Sequence, residues 1–155
     1  MRIVAVAAST VRTMVLRVGA SARLEQRWLP RDAADPGWSD WTEAPFDGQV
    51  VDAAAISGWP QQIEIFVLDA QGGVWNRWWW PDRGWEPASG FSYRGRPFGQ
   101  PANAITALSA GDGHFNVFVE SRDGRIATLP HVNSYDIKWR PCPFDVDGLR
   151  DGWWP

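Results

Sequence analysis

Residues 63–78 read IEIFVLDAQGGVWNRW, and this stretch decides the fold because the chain carries it three times. Residues 13–28 (TMVLRVGASARLEQRW) and 115–130 (FNVFVESRDGRIATLP) align with it without a gap, at offsets of 50 and 52 residues. Ile63, Ile65 and Val67 alternate with Glu64, Phe66 and Leu68, so both faces of this strand are partly apolar. A strand covered on both sides needs that pattern, whereas a strand with one wet face alternates cleanly. Turn residues punctuate each copy at one place: 19–21, 71–73 and the Asp123-Gly124 pair. Asp-Gly predicts a two-residue hairpin. No segment keeps a 3.6-residue apolar period for three turns, so helices are not expected.

Outward from this core, each copy has the same flanks. A small-residue strand ending in serine precedes it: AVAAS to Ser9, DAAAIS to Ser57 and ITALS to Ser109. An aromatic corner follows it: Trp41 to Phe46, Trp85 to Phe91 and Trp139 to Phe144. A repeat of about fifty residues that reads as four short strands is the pattern of a β-propeller blade. The expected fold is all-β, with three four-stranded blades at residues 1–49, 50–102 and 103–147 and a tail at 148–155. Pro- and Gly-rich linkers separate the blades.

Bulk composition narrows the function. A formal charge of −3 and the lack of any basic run argue against nucleic acid as partner. No stretch approaches the roughly 20 apolar residues of a membrane span. The N-terminal IVAVAAS is too short for a signal peptide and reads as the first strand of the first repeat. A soluble protein is expected, cytoplasmic or exported by a non-classical route. Cys142 is the sole cysteine, which excludes an intrachain disulfide and a Cys-rich metal site. No cofactor is expected. The twelve tryptophans stand out. Each offers a large flat apolar face with one N–H donor.

The string IEIFVLDAQGGVWNRWWWPDRGW (63–85) resembles the repeat of bacterial propeller lectins of the Photorhabdus type. That repeat has a Phe-Val step, an Asp-Gly-like turn, a Trp-x-x-Trp-Trp strand and a terminal Gly-Trp. HFNVFVESRDGRI (114–126) fits its first half. A looser likeness links the chain to the six-bladed fucose-binding lectins. Both resemblances imply sugar binding without catalysis. The fucose-type grip would need an arginine where Met14, Glu64 and Asn116 stand, and a glutamate where Gln26, Asn76 and Thr128 stand. No repeat keeps that pair.

Sugars bind through CH groups laid on aromatic faces, with polar side chains fixing the hydroxyls. Repeat two supplies Trp75, Trp79 and Trp85 as faces and Asn76, Arg77 and Asp82 as grips. Repeat one supplies a thinner set in Gln26, Arg27, Trp28 and Trp38. Against this, Trp41, Trp85 and Trp139 recur at matching places, as core residues do. Strand alternation also sends Trp75 and Trp79 to the face opposite Trp78. Catalysis has little support. His114 and His131 lack metal-ligand spacing to a second His or Cys, and no Gly-x-Ser-x-Gly occurs. Asp145-Val146-Asp147-Gly148 reads as a turn rather than a calcium loop. Three blades cannot close a ring, so a homodimer forming six blades is expected, unless the chain is a piece of a longer propeller. The expected ligand is a carbohydrate or glycoconjugate. The alternative is a protein-interaction or sensing propeller with no sugar ligand.

Overall fold

The structure, a computed structural model, describes residues 2–31, 34, 37–132 and 138–142. These residues are all-β. Three antiparallel sheets follow one another along the chain. Sheet 1 joins β1 (Arg2–Ala8), β2 (Arg12–Val18), β3 (Leu24–Pro30) and β4 (Thr42–Glu43) in that order. Sheet 2 joins β5 (Val50–Ile56), β6 (Ile63–Asp69), β7 (Val74–Trp80) and β8 (Gly84–Glu86), with β9 (Ser92–Gly95) also on β7. Sheet 3 joins β10 (Ala102–Gly111), β11 (His114–Ser121), β12 (Ile126–Val132) and β13 (Arg140–Pro141). No helix long and apolar enough to cross a membrane occurs among the described residues.

The gapless alignment of the repeats reappears as a shared register. Met14 pairs with Trp28, Glu64 with Trp78 and Asn116 with Pro130, at matching points of the three central hairpins. The turns joining these strands also match. Gly19, Asp69 and Ser121 each accept a bond from the residue three on and donate one to the residue four on. Ala22, Gly72 and Gly124 hold the left-handed position at φ 57°, 85° and 81°. This is a three-residue loop, a type I turn closed by a bulge. It replaces the two-residue hairpin expected from Asp123-Gly124, because the glycine supplies one left-handed residue rather than the second of two.

The fourth strand departs from expectation in repeat two. Gln26 pairs with Thr42, Asn76 with Ser92 and Thr128 with Arg140. The residues preceding those partners are Trp41, Phe91 and Trp139, so Phe91 and not Trp85 stands at the shared corner. Trp85 lies on β8, an additional strand opposite Trp79. Phe144, the tail and the turn at 145–148 lie outside the described residues.

Sheet 2 sits between the other two and is buried on both faces, every residue of β6 included. Met14, Leu16 and Leu24 of sheet 1 pack on Ile63, Ile65 and Val67 of sheet 2. Phe66, Leu68 and Val74 from its other face pack on Phe115, Val117 and Leu129 of sheet 3. The two sheet-to-sheet steps are alike. The first strand β5 packs against the first strands β1 and β10. The hairpins after those strands bond to one another, Thr10 N–H to the Pro60 carbonyl and Gly113 N–H to the Gly58 carbonyl, at 2.7 and 2.9 Å. The buried Asp52 carboxylate crosses from sheet 2 to accept the Ile105 N–H at 3.1 Å.

Candidate functional site

Alternation along β7 turns Trp75, Arg77 and Trp79 toward sheet 1, and Val74, Asn76 and Trp78 toward sheet 3. The same rule turns Gln26 and Trp28 of β3 toward sheet 2 and Arg27 away from it. The residues singled out from sequence are thus divided among three faces.

The seam between sheets 1 and 2 gathers six of them: Gln26, Trp28, Trp75, Arg77, Trp79 and Trp85. Trp28 and Trp85 meet with ring centroids 5.8 Å apart, tilted by 40°. Arg12 inserts its guanidinium between two indoles, 4.6 Å from Trp28 and 4.2 Å from Trp79. Arg77 lies 4.8 Å from the Trp85 ring. It donates through Nε to the Pro87 carbonyl at 3.1 Å and through Nη2 to the Ala88 carbonyl at 2.8 Å. Burial lowers its pKa from the usual guanidinium value, and the two carbonyls satisfy the buried charge. Gln26, 7% exposed, keeps its side-chain Oε1 without a hydrogen-bond partner. The cause is the sequence of sheet 1. The equivalent oxygen, Asn76 Oδ1, accepts Arg94 Nε at 2.7 Å, but Arg94 corresponds to Ala44 in sheet 1.

Trp75 belongs lower in the same seam. Its Nε1 donates to Asp69 at 2.7 Å, and its ring lies against Phe46 at 5.8 Å and Tyr93 at 4.8 Å. It is packing rather than an open platform. Asp82 occupies the exposed turn between β7 and β8 and, among the described residues, faces only its neighbour Arg83, at 3.8 Å. Arg27 and Trp38 lie together on the outer face of sheet 1, 4.9 Å apart.

Asn76 lies in the seam between sheets 2 and 3, within a buried polar chain. Arg94 Nε donates to its Oδ1 at 2.7 Å, and Glu64 accepts its amide. The Arg94 carbonyl accepts Trp139 Nε1 at 2.7 Å, and Trp78 donates to Glu86 at 2.7 Å. His131 closes the inner end of this seam, stacked on Phe115 with centroids 4.2 Å apart and its Nδ1 2.7 Å from the Gly113 carbonyl. Burial pushes its pKa below the usual imidazole value, helped by the charge of Arg94. His114 is exposed. Among the described residues no group of three or more His, Cys, Asp or Glu could hold a metal ion.

A cavity lies elsewhere, at the outer end of the seam between sheets 2 and 3. It measures about 360 Å³ and is bordered by Phe98, Arg125, Ala127, Trp139 and Cys142 among others. Sequence reasoning missed it because it is defined by a small residue, Ala127, at a place where the eye is drawn to aromatic ones.

Sequence reasoning also missed the partner of the tryptophans. Trp28, Trp38, Trp41, Trp78, Trp79, Trp80 and Trp85 each lie beside a guanidinium. The signal was present: fourteen of the fifteen basic residues are arginine. A planar guanidinium stacks on an indole face better than an ammonium does. No protein-family model and no curated protein matches the chain.

Proposed function

We propose that the three sheets are blades of a β-propeller and that the protein is a non-catalytic carbohydrate-binding module. One observation carries the reading: the seam between sheets 1 and 2 combines indole edges with a buried, unpartnered acceptor. Gln26 Oε1 has no donor among the described residues, and Gln26 shares its face of β3 with Trp28, which meets Trp85. A sugar hydroxyl is a donor of the right size, and the adjoining indoles supply an apolar surface for the ring. The blade assignment draws support from the like packing of successive sheets and the shared hairpin register. Several seams per assembled ring would raise a weak single-site affinity by avidity.

A second reading is favoured by a specific observation. The indole faces at this seam are already covered, Trp28 and Trp79 by Arg12 and Trp85 by Arg77. Stacked Arg and Trp are also the usual anchors of protein interfaces. In that reading the propeller docks a protein and binds no sugar. A glycan array on the full chain, followed by calorimetry with the best hit, separates the two. The lectin reading expects saturable binding that weakens about tenfold in Gln26→Met, the scale of one buried hydrogen bond. Absence of any glycan signal rejects it and leaves the interaction module.

A further inference from the structure

The cavity at the outer end of the seam between sheets 2 and 3 has a counterpart one seam earlier, and the counterpart is full. Ala127 pairs with Pro141 as Trp75 pairs with Tyr93, so Ala127 stands in the position of Trp75. Trp139 likewise stands where Phe91 does, each preceding the first paired residue of its strand. Phe98 borders the cavity much as Phe46 borders Trp75. In the first seam the Trp75 indole fills the space, edge-on to Phe46 and against Tyr93. In the second seam a methyl group replaces that indole, and about 360 Å³ is left between Phe98, Ile126, Trp139 and Pro141. That volume lies at the small end of the range for small-molecule sites. The repeat itself therefore defines the shape of the missing occupant as a flat bicyclic ring.

The charge at the cavity is also defined. Gly73, the residue before Val74 in sheet 2, corresponds to Arg125 in sheet 3. Asp123 fixes that guanidinium through Nε, at 3.0 and 3.1 Å, and Phe98 lies 5.3 Å from it. Among the described residues its two terminal nitrogens have no other partner. A guanidinium held in this way presents a fork to an incoming carboxylate.

We infer that this cavity is a binding site for a small planar aromatic acid, an indole-sized ring bearing a carboxylate, with the ring in the place Trp75 fills in the preceding seam and the carboxylate on Arg125. The site is independent of the sugar reading, since it uses a different seam and different residues.

The test uses the full chain with indole-3-acetate, indole and glucuronate as probes, read by calorimetry and saturation-transfer NMR. Indole-3-acetate is expected to bind, and indole to bind about tenfold more weakly for want of the charged hydrogen bond. Glucuronate is expected not to bind. Ala127→Trp restores the residue of the preceding repeat and should abolish binding without lowering the melting temperature. If that variant misfolds, Ala127→Leu carries the same test by partial filling. Arg125→Gln should reduce the acid to the affinity of plain indole. The inference is overturned if neither indole compound binds, or if binding survives in the filled variant. Binding of glucuronate in preference to the aromatic acid overturns it too. So does binding that emerges only when Trp153 and Trp154 are both changed to alanine, which would make the chain's own tail the occupant.

Discussion

Ala22 holds φ at 57°, the position that glycine occupies in the two other central turns. A Cβ in that region costs about 1–2 kcal/mol, and glycine would recover most of it despite its greater freedom in the unfolded chain. Ala22→Gly is therefore expected to raise the melting temperature. Gly72→Ala is expected to do the opposite and more strongly. There the new Cβ would meet the Gln100 carbonyl oxygen at 2.1 Å, a backbone atom with nowhere to retreat. The two substitutions at equivalent positions should thus shift denaturant midpoints in opposite directions. Gln26 poses a different question. Its unpartnered buried oxygen costs about 1–3 kcal/mol in the folded protein. Gln26→Met removes that cost at similar volume and matches Met14 beside it, so the variant should be more stable. If it is also the variant that loses sugar, the orphaned acceptor is there for a ligand. Greater stability with unaltered binding would instead mark it as a packing defect.

At the scale of strands, Arg77 anchors the segment that follows β8, which Trp78 also holds through Glu86. Arg77 ties Pro87 and Ala88 to β7 with two nitrogens and covers Trp85 with its plane. Lysine has neither the fork nor the plane, so Arg77→Lys should cost about 1–3 kcal/mol. The loss should appear first as faster amide exchange in residues 84–88. On β12, His131 gives the sheet interface a pH response. Its pKa is lowered in the folded state by burial and by Arg94, so the unfolded chain binds the proton more readily. Its contribution is whole above about pH 6.5 and is lost as pH falls through the lower folded value. Asp123, held at about 2 by Ser121 and then Arg125, titrates well below that window. The melting temperature should therefore drop between pH 7 and 5, and His131→Phe should flatten the drop. The central hairpins were legible in the sequence because their loops are equal in length, which makes spacing a faithful record of register. The fourth strand was not, because Trp85 imitates Trp41 in residue type and draws the match away from Phe91, which stands at the same 50-residue offset as the hairpin. Grouping by residue type likewise joined Trp75, Asn76 and Arg77, which strand alternation and packing then distribute between two seams. Spacing along one strand cannot say which indole a guanidinium from another strand will cover.

For the whole molecule, the informative surfaces are the outer faces of the first and last sheets. Ile56, Phe66 and Val74 of sheet 2 are buried by sheet 3. Their equivalents in sheet 3 are Leu108, Phe118 and Ile126, still apolar although no described sheet covers them, and Leu108 is 67% exposed. A hollow of about 150 Å³ lies on this face between Thr106, Phe118 and Ile126. Sheet 1 offers the opposite face of the same repeat. There Ile3 is 64% exposed, Val15 and Leu29 lie on the same face by strand alternation, and Arg17 pairs with Glu25 over Trp41. Inside the molecule, the face of one sheet that corresponds to Leu108 and Phe118 packs on the face of the next that corresponds to Val15 and Leu29. The outer pair can make the same contact only with another copy or with further repeats, and a ring also removes the exposed apolar surface. If two copies close six sheets, sedimentation should give twice the 17.4 kDa of one chain. Leu108→Asp, at an exposed site within the chain, should then halve the mass while leaving the circular dichroism of the sheets intact. A chain that sediments as a monomer before any substitution rules out closure by self-association, and the two faces would have to meet a partner that is not this chain.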